Sequence, residues 1–419
     1  MNKRLTKRII GGLLGVIFAV GLFFGGFFLA KKIYVSDDLE SIKFILDVYK
    51  EYYYQEEYNL PHLFADSLMD DYSRFYTKEE YELTQKASEG YRKAIGISIN
   101  DSLEITKVLY NSPAQRAGII EGGVITGVNG AKVTTKSEID RQMGEDAITL
   151  TVNYGKAQRQ YSLQSEEFTE TFVKYYDSEN EYYFEGDEIE LKQKPTTLGK
   201  ILNEKTGYLI YRGFSAVGSG SVAKWKNDIS TSCGQFASAL NVYKQTGKTE
   251  LIIDLRNNGG GFMTILSSIT SHFIEEENAL ISEARYKGDK VEKFYSQSPC
   301  REDYTFEKIT VLVNEGTASA SEAFVGALID YDDEKVVEVV CEYNMARGNY
   351  SSFGKGIMQS TVVNKISDEA VKLTVAEIFW PISKKSIHGK GVSPSVDSRV
   401  VSAEKNGEPI DALEYLLGC

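Results

Sequence analysis

Histidine and cysteine are scarce in this 419-residue chain, which has three histidines and four cysteines. None of them shows the close spacing that is typical of zinc ligands. The chain also lacks a Walker-type phosphate loop and the glycine fingerprint of dinucleotide-binding folds. Its net charge is −13, and an acidic surface disfavours nucleic acid and anionic lipid as partners. The sequence therefore indicates no metal, no organic cofactor and no nucleic-acid partner.

Charge is also missing from residues 9–30, an apolar run that is long enough for a bilayer, which takes about 20 residues to cross. The basic residues before it are Lys3, Arg4, Lys7 and Arg8, whereas Lys31 and Lys32 follow. This bias predicts a cytoplasmic basic segment at 1–8 and an uncleaved transmembrane signal anchor at 9–30. The protein is then a single-pass protein of the cell membrane, with the rest of the chain on the extracytoplasmic side.

Hydrophobic periodicity divides the remaining sequence. Residues 31–88 have apolar positions at helical spacing and predict a small helical region, whose tyrosines at 52–54 fit either a core or a homodimer surface. Residues 166–206 are rich in Glu, Asp and Tyr, which predicts an exposed acidic connector with one or two edge strands. In residues 207–419 strands alternate with helices, which indicates an α/β domain with a largely parallel sheet.

Residues 309–328, ITVLVNEGTASASEAFVGAL, predict a strand, a turn and a helix whose first turn is rich in hydroxyls. Thr317, Ser319 and Ser321 lie near the start of this helix, where free N–H groups and the helix dipole favour developing negative charge. Each of the three is therefore a candidate nucleophile, and the spacing alone does not separate them.

Residues 352–360, SFGKGIMQS, offer a base for such a nucleophile. Lys355 lies between two glycines, and Gln359 follows four positions later. A free lysine titrates near 10.4, but burial without a carboxylate partner lowers its pKa and lets it accept a proton from serine. If this segment is a strand, the side chains of Lys355 and Gln359 point to the same face.

These two segments resemble the serine–lysine carboxyl-terminal processing peptidases, the tail-specific protease family. Three more stretches agree: LIIDLRNNGGGF at 251–262, GYLIYRGF at 207–214 and LMDDYSRFY at 68–76. The likeness runs from roughly residue 37 to residue 396 in the family's order. It implies an α/β fold with a ClpP/crotonase-like protease core at 207–419, an inserted PDZ domain at 89–165, a small N-terminal helical region and one transmembrane helix.

The resemblance also implies roles for individual residues. Ser319 is expected to be the nucleophile, Lys355 the general base and Gln359 the residue that orients the lysine. The expected oxyanion hole consists of the backbone amides of Ala320, Gly259 and Gly260. The chain departs most from the family in the interval between Ser319 and Lys355, which is longer than usual, with the extra residues near 341–350.

In the expected PDZ domain, the carboxylate-binding loop corresponds to Ala94, Ile95, Gly96 and Ile97. Such a loop presents successive backbone N–H groups to a terminal carboxylate, and the peptide adds as a strand beside the domain. The expected partners are thus polypeptides bound by their C-termini.

The expected function is that of a membrane-anchored serine endopeptidase that needs no cofactor. Two alternatives stay open. The long interval between Ser319 and Lys355 motivates a catalytically inactive, peptide-binding scaffold on the same fold. An acyl-CoA enzyme of the crotonase type would share the core, but it would want a basic CoA-binding surface that this acidic chain does not suggest.

Overall fold

The computed structural model describes residues 42–45, 60–140, 142, 147–185, 188–193, 198, 202–216, 222–225, 227–297 and 305–418. The basic segment and the transmembrane anchor predicted within residues 1–30 lie outside these residues. Among the helices that are described, none is long and apolar enough to cross a membrane. The chain divides into two units, Met1–Leu63 and Phe64–Cys419. In the first unit residues 42–45 are helical, and nearly all other described residues belong to the second.

The helices are α1 Leu60–Leu68, α2 Lys78–Ser88, α3 Pro113–Arg116, α4 Lys136–Asp140, α5 Val222–Trp225, α6 Ser232–Gln245, α7 Met263–Thr270, α8 Ala320–Asp330 and α9 Ala412–Leu416. The first strands are β1 Arg74–Tyr76, β2 Tyr91–Ala94, β3 Ile97–Ile99, β4 Ile105–Val108, β5 Val124–Val128, β6 Ala131–Lys132, β7 Ala147–Tyr154, β8 Ala157–Gln164, β9 Glu166–Thr169, β10 Val173–Tyr176, β11 Asn180–Glu185, β12 Glu188–Gln193 and β13 Thr206–Tyr211. The later strands are β14 Glu250–Asp254, β15 Leu280–Tyr286, β16 Val291–Tyr295, β17 Lys308–Val313, β18 Val337–Cys341, β19 Tyr343–Asn344, β20 Asn349–Tyr350, β21 Ile357–Val363, β22 Ala370–Phe379, β23 Val400–Ser402, β24 Glu404–Lys405 and β25 Glu408–Pro409.

The largest sheet has the order β12-β11-β10-β13-β14-β17-β18-β23. Its strands from β13 to β23 are parallel, and they are apolar on both faces because both faces are covered. Leu251 and Ile253 face a core shared with α6, α7 and α8. Ile252 faces a second core shared with α9. The predicted α/β class with a largely parallel sheet is confirmed.

The interpretation of residues 166–206 as an exposed connector is wrong for residues 170–177, most of which are buried, and the segment has more strands than the one or two predicted. Strands β10, β11 and β12 extend the main sheet in antiparallel fashion, and β9 pairs with β2. Tyr175 and Tyr176 are buried, and the Tyr175 ring stacks on that of Tyr182 with 4.7 Å between centroids. Aromatic residues favour strands, and in this segment the many acidic side chains concealed that tendency.

Residues 91–169 form an insert with its own core. Four of its strands build a sheet in the order β6-β5-β7-β8, while β3 pairs with β4. Pairing of β2 with β9 brings the two ends of the insert together. The packed interior consists of residues such as Ile105, Ile125, Leu150 and Val152. The insert is therefore packed around a centre separate from that of the main sheet.

A second sheet lies beside the main one and positions the candidate site. Its order is β1-β22-β15-β16, and β21 pairs with β22 in a hairpin. The short strand β1 joins β22 with Arg74 opposite Lys372. The sheet thereby brings the segment around residue 72 next to the start of the β21–β22 hairpin.

Candidate active site

Ser319 occupies a sharp junction between β17 and α8. It is the N-cap of α8 and has φ +58° and ψ −118°, a left-handed conformation that is uncommon for residues other than glycine. Strain of this kind persists only where surrounding contacts hold it. The junction presents Ser319 to a cavity of about 150 Å³, which is otherwise lined by Gly261, Phe262, Met263, Met358, Gln359 and Ile378.

The structure separates the three candidate hydroxyls. The Thr317 hydroxyl donates to the Leu255 carbonyl at 2.8 Å, and the Ser321 hydroxyl donates to the Asn258 carbonyl at 2.9 Å. Both side chains are completely buried and fasten the helix start to the turn after β14. Of the three, Ser319 is the one that lines the cavity. The geometry therefore supports the choice of Ser319 that the resemblance implied.

Glu322 joins the nucleophile segment to the lysine segment. One of its carboxylate oxygens accepts the backbone N–H of Ser319 at 2.8 Å and that of Lys355 at 2.9 Å. The other oxygen accepts the Gly354 N–H at 2.7 Å and the Ser352 hydroxyl. Burial raises the pKa of Glu322 to about 7, although these four hydrogen bonds act in the opposite direction. The backbone N–H groups of Ser319 and Lys355 thus share one carboxylate oxygen of Glu322 as their acceptor.

The role of Glu322 is only partly visible in the sequence. Its position at N3 of α8 matches the reciprocal N-cap pattern, in which a glutamate side chain reaches back to the N-cap N–H. That pattern was a usable signal for the bond to Ser319. The bonds to Gly354 and Lys355 come from a distant part of the chain, so no local pattern predicts them.

Lys355 lies in the loop before β21 and is half-buried. Burial and the neighbouring charge of Lys372 lower the pKa of Lys355, against the opposing influence of Asp70 and Glu322. This is the direction that a general base requires. The Nζ atom lies 4.7 Å from the centre of the Tyr72 ring.

Gln359 shares the cavity with Ser319, but its side-chain amide donates to the Thr374 hydroxyl at 3.2 Å. Within the part of the chain that the structure describes, which includes all three residues, no hydrogen bond joins Lys355 Nζ to Ser319 Oγ or to Gln359. The expectation of a shared strand face also needs correction. Lys355 precedes β21, and the β21–β22 register shifts between Met358 and Gln359, so simple alternation does not relate the two side chains.

The long interval between Ser319 and Lys355 contains a small β-hairpin formed by β19 and β20. The Asn344 side chain closes its base by donating to the Ser351 and Ser352 carbonyls, each at 3.3 Å. Immediately afterwards the Phe353 N–H donates to the Thr317 carbonyl at 2.9 Å. The additional residues therefore loop out and return, and they do not carry the Lys355 segment away from α8.

The predicted oxyanion donors lie close together. A Cβ atom on Gly260 would stand 2.7 Å from the Ala320 nitrogen and 2.8 Å from Ser319 Cβ, so only glycine allows this approach. Ala320 is the first residue of α8, and an N–H at this position has no acceptor inside its helix. Gly259 is exposed, whereas the Gly260 N–H already donates to the Asn258 side chain at 3.0 Å. Gly260 is thus the glycine that lies against Ala320 and Ser319, and the role of Gly259 stays a prediction.

An ion pair fixes the turn that carries these glycines. The Arg256 guanidinium binds both carboxylate oxygens of Asp254, at 3.0 and 2.7 Å, and also contacts Glu342 and Asp411. Burial opposes ionisation of Asp254, but the charge of Arg256 and its hydrogen bonds keep the pKa of Asp254 below its usual value. The pair acts on the turn and does not line the cavity around Ser319.

The predicted carboxylate-binding loop joins β2 to β3. Ala94 ends β2, Ile97 begins β3, and the buried Ile95 and Gly96 lie between them. Gly96 has φ +87°, and a Cβ there would collide with Ser112. Strand β3 pairs with β4, and among the described residues it has no second strand partner. One edge of β3 is therefore available next to the loop.

Comparison with known proteins finds a peptidase family and several relatives. Residues 205–398 match Peptidase family S41. The chain is 29% identical over 303 residues to a probable CtpA-like serine protease of Staphylococcus aureus (strain bovine RF122 / ET3-1). The aligned region covers 71% of this chain and 50% of that relative. The corresponding protein of Staphylococcus epidermidis is 27% identical over 303 residues. The chain spans about half the length, 50%, of these curated relatives.

A solved structure supports the fold. The photosystem II D1 C-terminal processing protease superposes with a TM-score of 0.51 at 20% sequence identity, covering 86% of this chain and 87% of that one. At this level of identity the likeness establishes a shared fold and nothing finer.

Proposed function

We propose that the chain is a serine endopeptidase of the C-terminal processing type, because residues 205–398 match Peptidase family S41. The observation that carries the proposal is the carboxylate of Glu322, which accepts the backbone N–H of Lys355 and that of Ser319, the serine that lines the cavity. A strained serine at a helix start and a lysine with a lowered pKa are the two parts that a serine–lysine dyad requires.

In the proposed reaction Ser319 Oγ attacks the scissile carbonyl carbon, and neutral Lys355 takes its proton. The oxyanion forms against the amides of Ala320 and Gly259, where donors and the helix dipole stabilise it. Lys355 then gives the proton to the leaving amine, and water hydrolyses the acyl-enzyme. Neutral Lys355 would reach Ser319 in the substrate complex, since catalytic hydrogen bonds are often long before that stage. Gln359 lines the same cavity and would orient the lysine.

The cavity beside Ser319 favours an apolar substrate side chain. Its lining includes Phe262, Met263, Met358 and Ile378, and methionine adapts readily to different apolar shapes. A charged side chain placed there would lose its hydration without gaining a partner. We therefore expect cleavage after small or medium apolar residues in an extended polypeptide.

The insert at 91–169 is proposed to be the PDZ domain expected at 89–165. It would bind substrate C-termini through Ala94, Ile95, Gly96 and Ile97, with the peptide added beside the unpaired edge of β3. A fluorescent peptide with an apolar, free C-terminus should bind the chain, and the same peptide with an amidated C-terminus should bind at least about tenfold more weakly, because the loop amides lose their anionic partner. Fluorescence anisotropy measures both. Equal affinities would contradict a carboxylate-reading loop.

The location of the protein follows from the sequence alone. We propose that residues 9–30 anchor it in the cell membrane, with the catalytic part on the extracytoplasmic side. A homodimer formed through the N-terminal region is a further proposal. Accessibility of the core to protease added outside intact cells tests the orientation.

The endopeptidase proposal is tested by cleavage of an unstructured polypeptide with an apolar C-terminus. The full chain in detergent should cleave it, and Ser319→Ala should abolish cleavage. Ser360→Ala, an exposed serine on β21, is the matched control and should cleave normally. If the wild type binds the polypeptide but never cleaves it, the inactive scaffold is correct. The open contact between Ser319 and Lys355 is the observation that favours this second candidate.

A further inference from the structure

The side chain of Lys355 does not extend into empty space. Its Nζ atom lies over the face of the Tyr72 ring, 4.7 Å from the centroid. The face of an aromatic ring attracts a cation within about 6 Å and has no comparable attraction for a neutral amine. The contact is therefore more favourable for the protonated lysine, the form that cannot accept the proton of a serine.

Tyr72 is held in this place by several contacts. Strand β1 begins two residues later and pairs with β22. The Ser73 hydroxyl accepts the N–H of Thr374 at 2.9 Å, and the Tyr72 N–H donates to Asp70 at 3.2 Å. The ring meets that of Phe353 edge to face, with 6.4 Å between centroids. Thr374 also receives the side-chain hydrogen bond of Gln359, so one strand supports both Tyr72 and Gln359.

We propose that Tyr72 is a positioning residue, whose ring holds protonated Lys355 away from Ser319 and releases it once the amine is neutral. The inference rests on the proposed dyad and adds to it a control on the position of the base. The ring couples the protonation state of Lys355 to its position, because only the cation gains from staying. Deprotonation frees the side chain to turn towards Ser319.

Other charged groups near Lys355 and Tyr72 also influence the pKa of Lys355. Lys355 faces Lys372 from β22, Asp70 from the turn before β1, and Glu322 from α8. The Tyr72 ring is also near Asp71 and Arg347, and burial raises the pKa of Tyr72 above its ordinary value of 10.0. The ring stays neutral at physiological pH, so its influence on Lys355 arises from its face and not from a phenolate charge.

The test compares Tyr72→Leu with Tyr72→Phe. Leucine removes the ring, whereas phenylalanine keeps its face and loses only the hydroxyl. Because the ring favours the charged amine, Tyr72→Leu should lower the pKa of Lys355 by about half to one unit. The acid limb of the kcat/KM profile should then move to lower pH by the same amount, so that the variant gains relative activity below the optimum. Tyr72→Phe should match the wild type.

A second readout does not depend on turnover. Reductive ¹³C-methylation of the lysines, with the Lys355 signal assigned by its loss in Lys355→Arg, gives the pKa of Lys355 directly by NMR. Tyr295→Leu, which removes an exposed tyrosine from β16, should change nothing. Tyr72→Met replaces the leucine variant if that one fails to fold.

The possible results distinguish failure of the inference about Tyr72 from failure of the proposed endopeptidase function. If the wild type is inactive but the pKa of Lys355 depends on the Tyr72 ring, the endopeptidase proposal is wrong and the inference about the ring still holds. An active wild type whose Lys355 pKa and acid limb are equal in the leucine and phenylalanine variants would overturn the role of Tyr72.

Discussion

Lys355→Met should lower kcat/KM by about 10³-fold or more, because removal of a general base from a serine nucleophile costs at least this much. Methionine has a similar length and packs well against an aromatic ring, so the contact with Tyr72 persists in apolar form. The cleavage assay gives the rate. An activity above about a tenth of the wild-type value would show that another group takes the proton of Ser319.

The same variant should not be less stable at neutral pH. Burial lowers the pKa of Lys355 from 10.5, so folding disfavours its charged form. This cost is fully present below the folded pKa and disappears as pH rises past the unfolded value. The thermal midpoint of Lys355→Met should therefore equal or exceed that of the wild type near neutral pH, and the difference should shrink in strongly alkaline buffer. Lys365→Met, at an exposed position in the hairpin loop, is the control for both activity and stability.

The sequence was sufficient for the class of fold and for the strand, turn and helix that carry Ser319. Strands such as β14 and β17 are continuous apolar runs between turn residues, which is the pattern of a parallel sheet covered on both faces. The start of α8 is marked by its hydroxyls and by the glutamate three residues after the N-cap. Both are local features, and local features are what periodicity and capping rules detect.

What the sequence did not predict depends on contacts between distant segments. Glu322 bonds to Gly354 and Lys355 across the interval that contains the β19–β20 hairpin, and Tyr72 reaches Lys355 only because β1 pairs with β22. The strands within 166–206 were missed for a different reason. Their acidic residues suggested solvent, although Glu181 forms an ion pair with Lys174 of the neighbouring strand and the tyrosines between them are buried.

Glu322→Gln should have the largest combined effect on activity and stability. A carboxylate offers about four acceptor positions, and four donors occupy those of Glu322. The glutamine amide turns its NH₂ towards two of these donors, whichever way it is oriented. Since each buried donor left unsatisfied costs about 1–3 kcal/mol, the free energy of unfolding should fall by about 2–4 kcal/mol. Loss of the shared anchor displaces Ser319 from Lys355, and kcat/KM should fall by about 10²-fold or more.

The pH dependence of this loss distinguishes a buried carboxyl from a generally weakened helix. Burial raises the pKa of Glu322 from 4.5 to about 7, so protonation favours the folded state. The stability gained from protonated Glu322 is fully present below its pKa in the unfolded chain. It is lost as pH rises through its pKa in the folded protein. Glutamine lacks it at every pH, so the deficit of Glu322→Gln in chemical denaturation should be larger near about pH 5 than near about pH 8. Glu338→Gln, in a half-exposed pair with Lys308 at 3.4 Å, should show a small deficit. An equal loss of stability for Glu322→Gln at both pH values would mean that the four hydrogen bonds outweigh burial and that the pKa of Glu322 is not raised.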